Sequence, residues 1–207
     1  MTNLLNTTIT KAVFTFSCIF FLFNSCTKEL SAVGPPPIGP VSILTNQAPP
    51  GQTKNDGTGG IELGLKFQSA IAGYIDGIKF YKTSGDSGTH TAQLYSSDGT
   101  LLSSEVFINE TDSGWQTVLF TSSIPIAANT TYIAAYHSSL GNYISTIGGL
   151  KTAITNSPLT ALADSTDGIN GIFKYTSTPD FPDRGYFSSN YWVDIIFSNH
   201  DNGNVYP

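Results

Sequence analysis

The stretch from Gly114 to His137, GWQTVLFTSSIPIAANTTYIAAYH, decides how the rest of the chain is read. Two β-rich runs, 115–121 and 131–137, flank a corner at Ile124-Pro125-Ile126 and a polar turn at Ala128-Asn129-Thr130. Pro125 has no N–H to give a ladder, so it belongs at an edge or a bend. The alternation within each run gives a pleat with one buried face. The two runs are expected to pair in the middle of an antiparallel sheet.

The same pattern extends in both directions. Strands are expected over 61–67, 72–82, 91–96, 101–108, 142–146, 171–175 and 191–197, with turns at Gly85-Asp86-Ser87-Gly88 and Ser97-Asp98-Gly99. Turn signals at this spacing predict an all-β fold, an antiparallel, jelly-roll-like β-sandwich over residues 61–198 with a tail at 199–207. One short helical turn is expected near Pro158–Asp164, inside the longest stretch without clear strand signals, 148–170. In the last strand Tyr191, Val193, Ile195 and Phe197 alternate against Trp192 and Asp194. The first set should face the core, leaving Trp192 beside Asp194 on an accessible face.

Upstream of residue 61 the composition changes. Lys11 precedes an apolar run, AVFTFSCIFFLF (12–23), too short to span a bilayer, and then Ser25-Cys26. A small residue before a cysteine after such a run resembles a lipobox, so residues 1–25 are expected to be a lipoprotein signal peptide with Cys26 lipidated. Cys18 would leave with the signal, and lipidation removes an otherwise lone thiol. Residues 26–60, with Gly34-Pro35-Pro36-Pro37 and Pro49-Pro50-Gly51, are expected to be a flexible lipid-anchored linker, within which Val41–Leu44 is a candidate first strand. Thr27 after the cysteine favours the outer membrane, periplasmic or surface-facing.

Of the 207 residues 12% are charged, and the formal charge of −6 becomes −7 once Lys11 is removed. With no basic run to neutralise phosphates, nucleic acid is not an expected partner. The expected partners are the membrane, through the anchor, and a glycan or surface protein.

From about Ile61 to Phe197 the chain resembles a family of bacterial domains of unknown function, number four thousand and eighty-two of its catalogue. The motifs that carry the likeness include Gly73-Tyr74-Ile75, Gly77-Ile78-Lys79-Phe80-Tyr81-Lys82, Gly88-Thr89-His90-Thr91, Gly114-Trp115-Gln116, Ala128-Asn129-Thr130-Thr131-Tyr132, Ala161-Leu162-Ala163-Asp164 and Asn190-Tyr191-Trp192-Val193-Asp194. The resemblance implies a β-sandwich of secreted and surface proteins, found beside immunoglobulin-like or carbohydrate-related modules, and supplies no catalytic residues.

The residues themselves point away from catalysis. The acids sit mostly in turns, where Asp caps its own backbone, rather than as a recognisable pair. No Gly-x-Ser-x-Gly elbow accompanies His90, His137 or His200. His90 is expected at a turn or strand start, bonded to backbone. A structural calcium ion is the one cofactor the pattern leaves room for, at Asp164 and Asp167 or in Asn199 to Asn204, although neither matches a full calcium loop. Aromatic platforms with polar neighbours suit sugar rings. The ligand-binding candidates are therefore Trp115, Tyr136, Tyr143, Tyr186 and Trp192, with His137, Asn142 and Asp194 as hydroxyl partners. The expectation is a non-catalytic binding module for carbohydrate. The alternatives are a structural or adhesion component and, more weakly, a glycoside-acting hydrolase.

Overall fold

Alternation sorts the side chains of this chain into two layers. The computed structural model describes residue 36, residues 38–50 and residues 52–201. Cys26 and the expected signal peptide lie outside the described residues, as do 202–204 of the second calcium candidate. One folded unit begins at Pro36. Its strands are β1 (Gln52–Asn55), β2 (Ile61–Ser69), β3 (Gly73–Lys82), β4 (His90–Ser96), β5 (Leu101–Val106), β6 (Gly114–Ile126) and β7 (Tyr132–Ser138). Then follow β8 (Asn142–Ser145), β9 (Ile154–Asn156), β10 (Leu159–Ala161), β11 (Ile172–Tyr175), β12 (Arg184–Gly185) and β13 (Val193–Ser198). There is no helix among the described residues.

The fold is an all-β, antiparallel sandwich. One layer is an eight-stranded sheet in the order β12-β11-β2-β7-β4-β5, with β10 and β9 continuing from the far end of β2. The other is β13-β3-β6, and β1-β8 forms a small third sheet. Ile61, Leu63, Leu65 and Phe67 of β2 point into the core, as do Ile75, Ile78 and Phe80 of β3. Phe80 stands at the centre, stacked on Tyr136 at 4.5 Å and edge-on to Phe107 at 4.8 Å. Each such fully buried side chain contributes about 1.5–3 kcal/mol.

The two runs of the 114–137 stretch do not pair with each other. β6 continues through Pro125 to Ile126 and forms the outer edge of the small layer, with Pro125 opposite Tyr74. There its missing N–H interrupts no ladder. The chain then crosses layers at Asn129, whose backbone is left-handed (φ 54°) and whose N–H donates to the Ser69 carbonyl at 2.7 Å. β7 lies inside the large sheet, between β2 and β4. Alternation demands one buried face per strand, and strands in facing layers satisfy that demand as well as neighbours do.

Two further expectations change. The turn expected near Pro158–Asp164 is the strand β10, paired with β2 and β9. The unpacked linker expected up to residue 60 ends much earlier. Val41 forms a bridge with Phe197, and Ile43 and Leu44 are each 1% exposed within the core. The cause is Asp194, whose carboxylate accepts the N–H groups of Ile43 at 2.8 Å and Leu44 at 3.0 Å as well as that of Ile195 at 2.8 Å. Burial pushes this carboxyl up to about 6 against the pull of those donors. The face expected to leave Trp192 and Asp194 accessible is thus covered by the chain's own upstream segment.

Candidate functional site

Most of the candidate residues serve the interior. Tyr136 is fully buried, and among the described residues its hydroxyl has no hydrogen-bond partner; burial raises its pKa. Trp192 is 5% exposed and donates from Nε1 to the Thr146 hydroxyl at 2.9 Å. Trp115 packs 6.3 Å from it, under the Lys79 ammonium at 4.7 Å, and donates to the Gln47 carbonyl. His137 is buried with Nε2 at 3.0 Å from the Thr176 carbonyl, and desolvation lowers its pKa.

His90 stands at a strand start as expected, but its ring meets carboxylates rather than backbone. Nε2 lies 2.9 Å from Asp86, and Nδ1 lies 3.0 Å from Glu110, which also pairs with Lys82 at 2.9 Å. Asn142 joins this knot by donating to Asp86 at 3.2 Å and accepting from Asn55 at 2.7 Å. Burial alone would raise the pKa of Asp86; the bonds from His90 and Asn142 outweigh it and hold it below the usual range.

Next to this knot a cavity of about 310 Å³ opens between the small β1-β8 sheet and β11. Tyr143 from β8, Phe173 and Tyr175 from β11, and Tyr186 and Tyr191 from the following segment form its aromatic walls. Lys54, Asp56, Ser145, Ile61 and Ile147 complete the lining. The β1-β8 register sets Lys54 opposite Tyr143, and Asp56 directly follows the strand. One oxygen of Asp56, Oδ2, accepts the hydroxyls of both Tyr143, at 2.8 Å, and Tyr175, at 2.7 Å. Desolvation, followed by the adjoining Asp56 carboxylate, raises the pKa of Tyr143; for Tyr175 the bond to Asp56 leads.

The segment carrying Tyr186 is brought in by a close approach at Gly171. A Cβ there would lie 1.9 Å from the Ser189 carbonyl, and φ is +70°, so only glycine fits. Phe187 and Ser188 are both left-handed (φ 46° and 50°), which is costly for residues with a Cβ. The turn so held leaves Phe187 69% exposed beside Tyr186, edge-on at 4.6 Å.

The structure therefore brings together Tyr143 and Tyr186 of the candidate set, with Asn142 just behind them. Sequence reading missed Lys54, Asp56, Phe173, Tyr175 and the cavity-facing role of Tyr191. Phe173 and Tyr175 did carry a signal: two aromatics at i and i+2 on one face of a short strand.

The model of a family described as a domain of unknown function (DUF4082) matches residues 47–193. The chain belongs to this family. No curated protein matches it. The DUF4082 match takes in all of the cavity's lining residues but stops short of Ile43, Leu44 and Asp194. Within the domain, Asp164 spends its carboxylate on the Asn170 N–H at 2.9 Å and the Ser188 hydroxyl at 2.6 Å, the second of which leads in lowering its pKa. The Asp167 carbonyl accepts from Lys66. Among the described residues no three His, Cys, Asp or Glu side chains gather as a metal-ligand set.

Proposed function

We propose that this chain is a non-catalytic cell-envelope lipoprotein whose β-sandwich binds carbohydrate in the aromatic cavity. The observation that carries the reading is the set of four tyrosines and Phe173 around one carboxylate. Aromatic faces suit the apolar C–H faces of a sugar ring, and fixed polar groups suit its hydroxyls. The cavity volume lies at the lower end of small-molecule sites, roughly 300–1,000 Å³. Among the described residues Asp56 is the one acid in the lining, whereas hydrolysis by paired carboxylates needs two across the scissile bond. The strained turn at Phe187 supports the reading, because such strain concentrates at ligand clamps.

Anchoring rests on the sequence: a short apolar run over residues 12–23, followed by Ser25-Cys26. Outer-membrane attachment through lipidated Cys26 predicts labelling by radioactive palmitate, lost in Cys26→Ser together with membrane fractionation. Binding is tested on a glycan array with the full chain in detergent, because β1 and residues 38–47 belong to the fold. Bound glycans lost in Tyr143→Ala support the module; an array without signal rejects it.

The second reading, a structural or adhesion component, is favoured by the outer edge of β5. This edge strand of the large sheet exposes Leu101 and Val106, with Ile108 exposed just beyond it. Unpaired edges with apolar side chains invite another chain. Concentration-dependent self-association removed by Val106→Lys would favour it.

A further inference from the structure

We infer that the cavity selects saccharides bearing an unacetylated amino group, an inference that rests on the carbohydrate reading and narrows it. Tyr143 and Tyr175 donate their hydroxyl protons to Asp56 Oδ2, so both phenol oxygens keep lone pairs for a ligand. Among the described residues Asp56 Oδ1 has no hydrogen-bond partner, so it too remains an acceptor. Three acceptor oxygens thus gather at one place, in a cavity also lined by the rings of Phe173, Tyr186 and Tyr191. An ammonium group has three donors and no acceptor, and a cation is attracted to the faces of aromatic rings. A protonated amino sugar satisfies both demands with one substituent. A neutral hydroxyl uses the acceptors but not the rings, and an N-acetyl group removes the charge.

Lys54 is the counterweight. It lines the same cavity and forms no ion pair among the described residues. Its charge offsets that of Asp56, so the preference for a cation comes from the rings, the acceptor geometry and the chain's net negative charge. An acidic sugar would gain Lys54 but would set its carboxylate against Asp56 and two phenol oxygens already committed as donors.

The test is calorimetric titration of the full chain in detergent with oligomers of equal length made of glucosamine, N-acetylglucosamine, glucose and a uronic acid. The glucosamine oligomer should bind at least about 10-fold more tightly than the acetylated and neutral ones. Asp56→Asn, an isosteric change at an exposed residue, should remove that margin, and Lys54→Met should widen it. Equal or tighter binding of the acetylated or neutral oligomer overturns the inference and leaves the carbohydrate reading standing. Tightest binding of the uronate, lost in Lys54→Met, does the same. A glucosamine preference that survives Asp56→Asn overturns the assignment to this carboxylate. Failure of all four to bind at millimolar concentration overturns the inference and the carbohydrate reading together.

Discussion

Two carboxylate clusters lie side by side in this protein and are built on opposite plans. In the knot of Lys82, Asp86, His90 and Glu110, each side chain is paired with another, the first three buried and Glu110 half-buried, and Asn142 fills a further bond. In the cavity, Asp56 stands exposed, holds two tyrosines with one oxygen and, among the described residues, leaves the other open beside aromatic walls. A cluster whose partners are all internal has nothing left to offer a ligand, and its role is to hold the structure. A cluster with open acceptors beside a cavity has such capacity. The Asn55–Asn142 bond joins the two, so the knot also sets the position of β1 and β8.

The comparison breaks most readily at His90. His90→Ala leaves Asp86 and Glu110 facing a void, and should lower the unfolding free energy by about 3–5 kcal/mol. Denaturant titration measures it, and a loss under about 1 kcal/mol would mean the knot is not structural.

Glu62 sharpens the comparison through pH. This carboxyl is fully buried on the outer side of β2, and desolvation pushes it up to about 9 from 4.5. The folded protein thus keeps a proton that the unfolded chain releases above about pH 4.5. The stability carried by the neutral acid is complete below that value and is lost as pH rises toward about 9. Glu62→Gln should therefore be neutral at pH 4 and stabilising by about 3 kcal/mol at pH 8. Thermal melts at the two pH values check this, and equal shifts at both would contradict it.

Asp194 is a third saturated carboxylate, spent on three backbone N–H groups. Asp194→Ala should cost about 2–3 kcal/mol and expose residues 38–47 to protease, read by mass spectrometry of the fragments. The smallest effect on folding belongs to the cavity. Tyr143→Phe removes one donor to Asp56 and should change stability by less than about 1 kcal/mol. The same change should weaken glycan binding by about 3- to 10-fold. A stability loss comparable to that of His90→Ala would erase the distinction between the clusters.

The strands were legible because alternation is a local property. The pleat of β2 and the core face of β13 follow from side chains two apart, and Pro125 announced an edge. Layer assignment was not legible, because nothing local tells whether 114–126 and 132–138 pair or face one another. Val41–Leu44 carried a strand signal, but the burial of Ile43 and Leu44 was not legible, for a related reason: their segment is held by a residue some 150 positions away. The cavity was half legible. Tyr143 and Tyr186 stood out as aromatics near polar neighbours, whereas Asp56 sits among Asn, Gly and Thr and reads as any turn acid. Its meaning comes from Tyr175, 119 residues on.

The closeness of Ile38 and Asn199 has an engineering consequence. The Ile38 N–H donates to the Asn199 side chain at 2.7 Å, one step beyond the Val41–Phe197 bridge. A short glycine-serine linker could join these two points and allow the backbone to be reopened at Ser97-Asp98-Gly99, a tight surface hairpin away from the cavity. Such a circular permutant would keep every strand pairing while moving both termini to the β4–β5 turn, where a reporter could be fused without touching the aromatic walls.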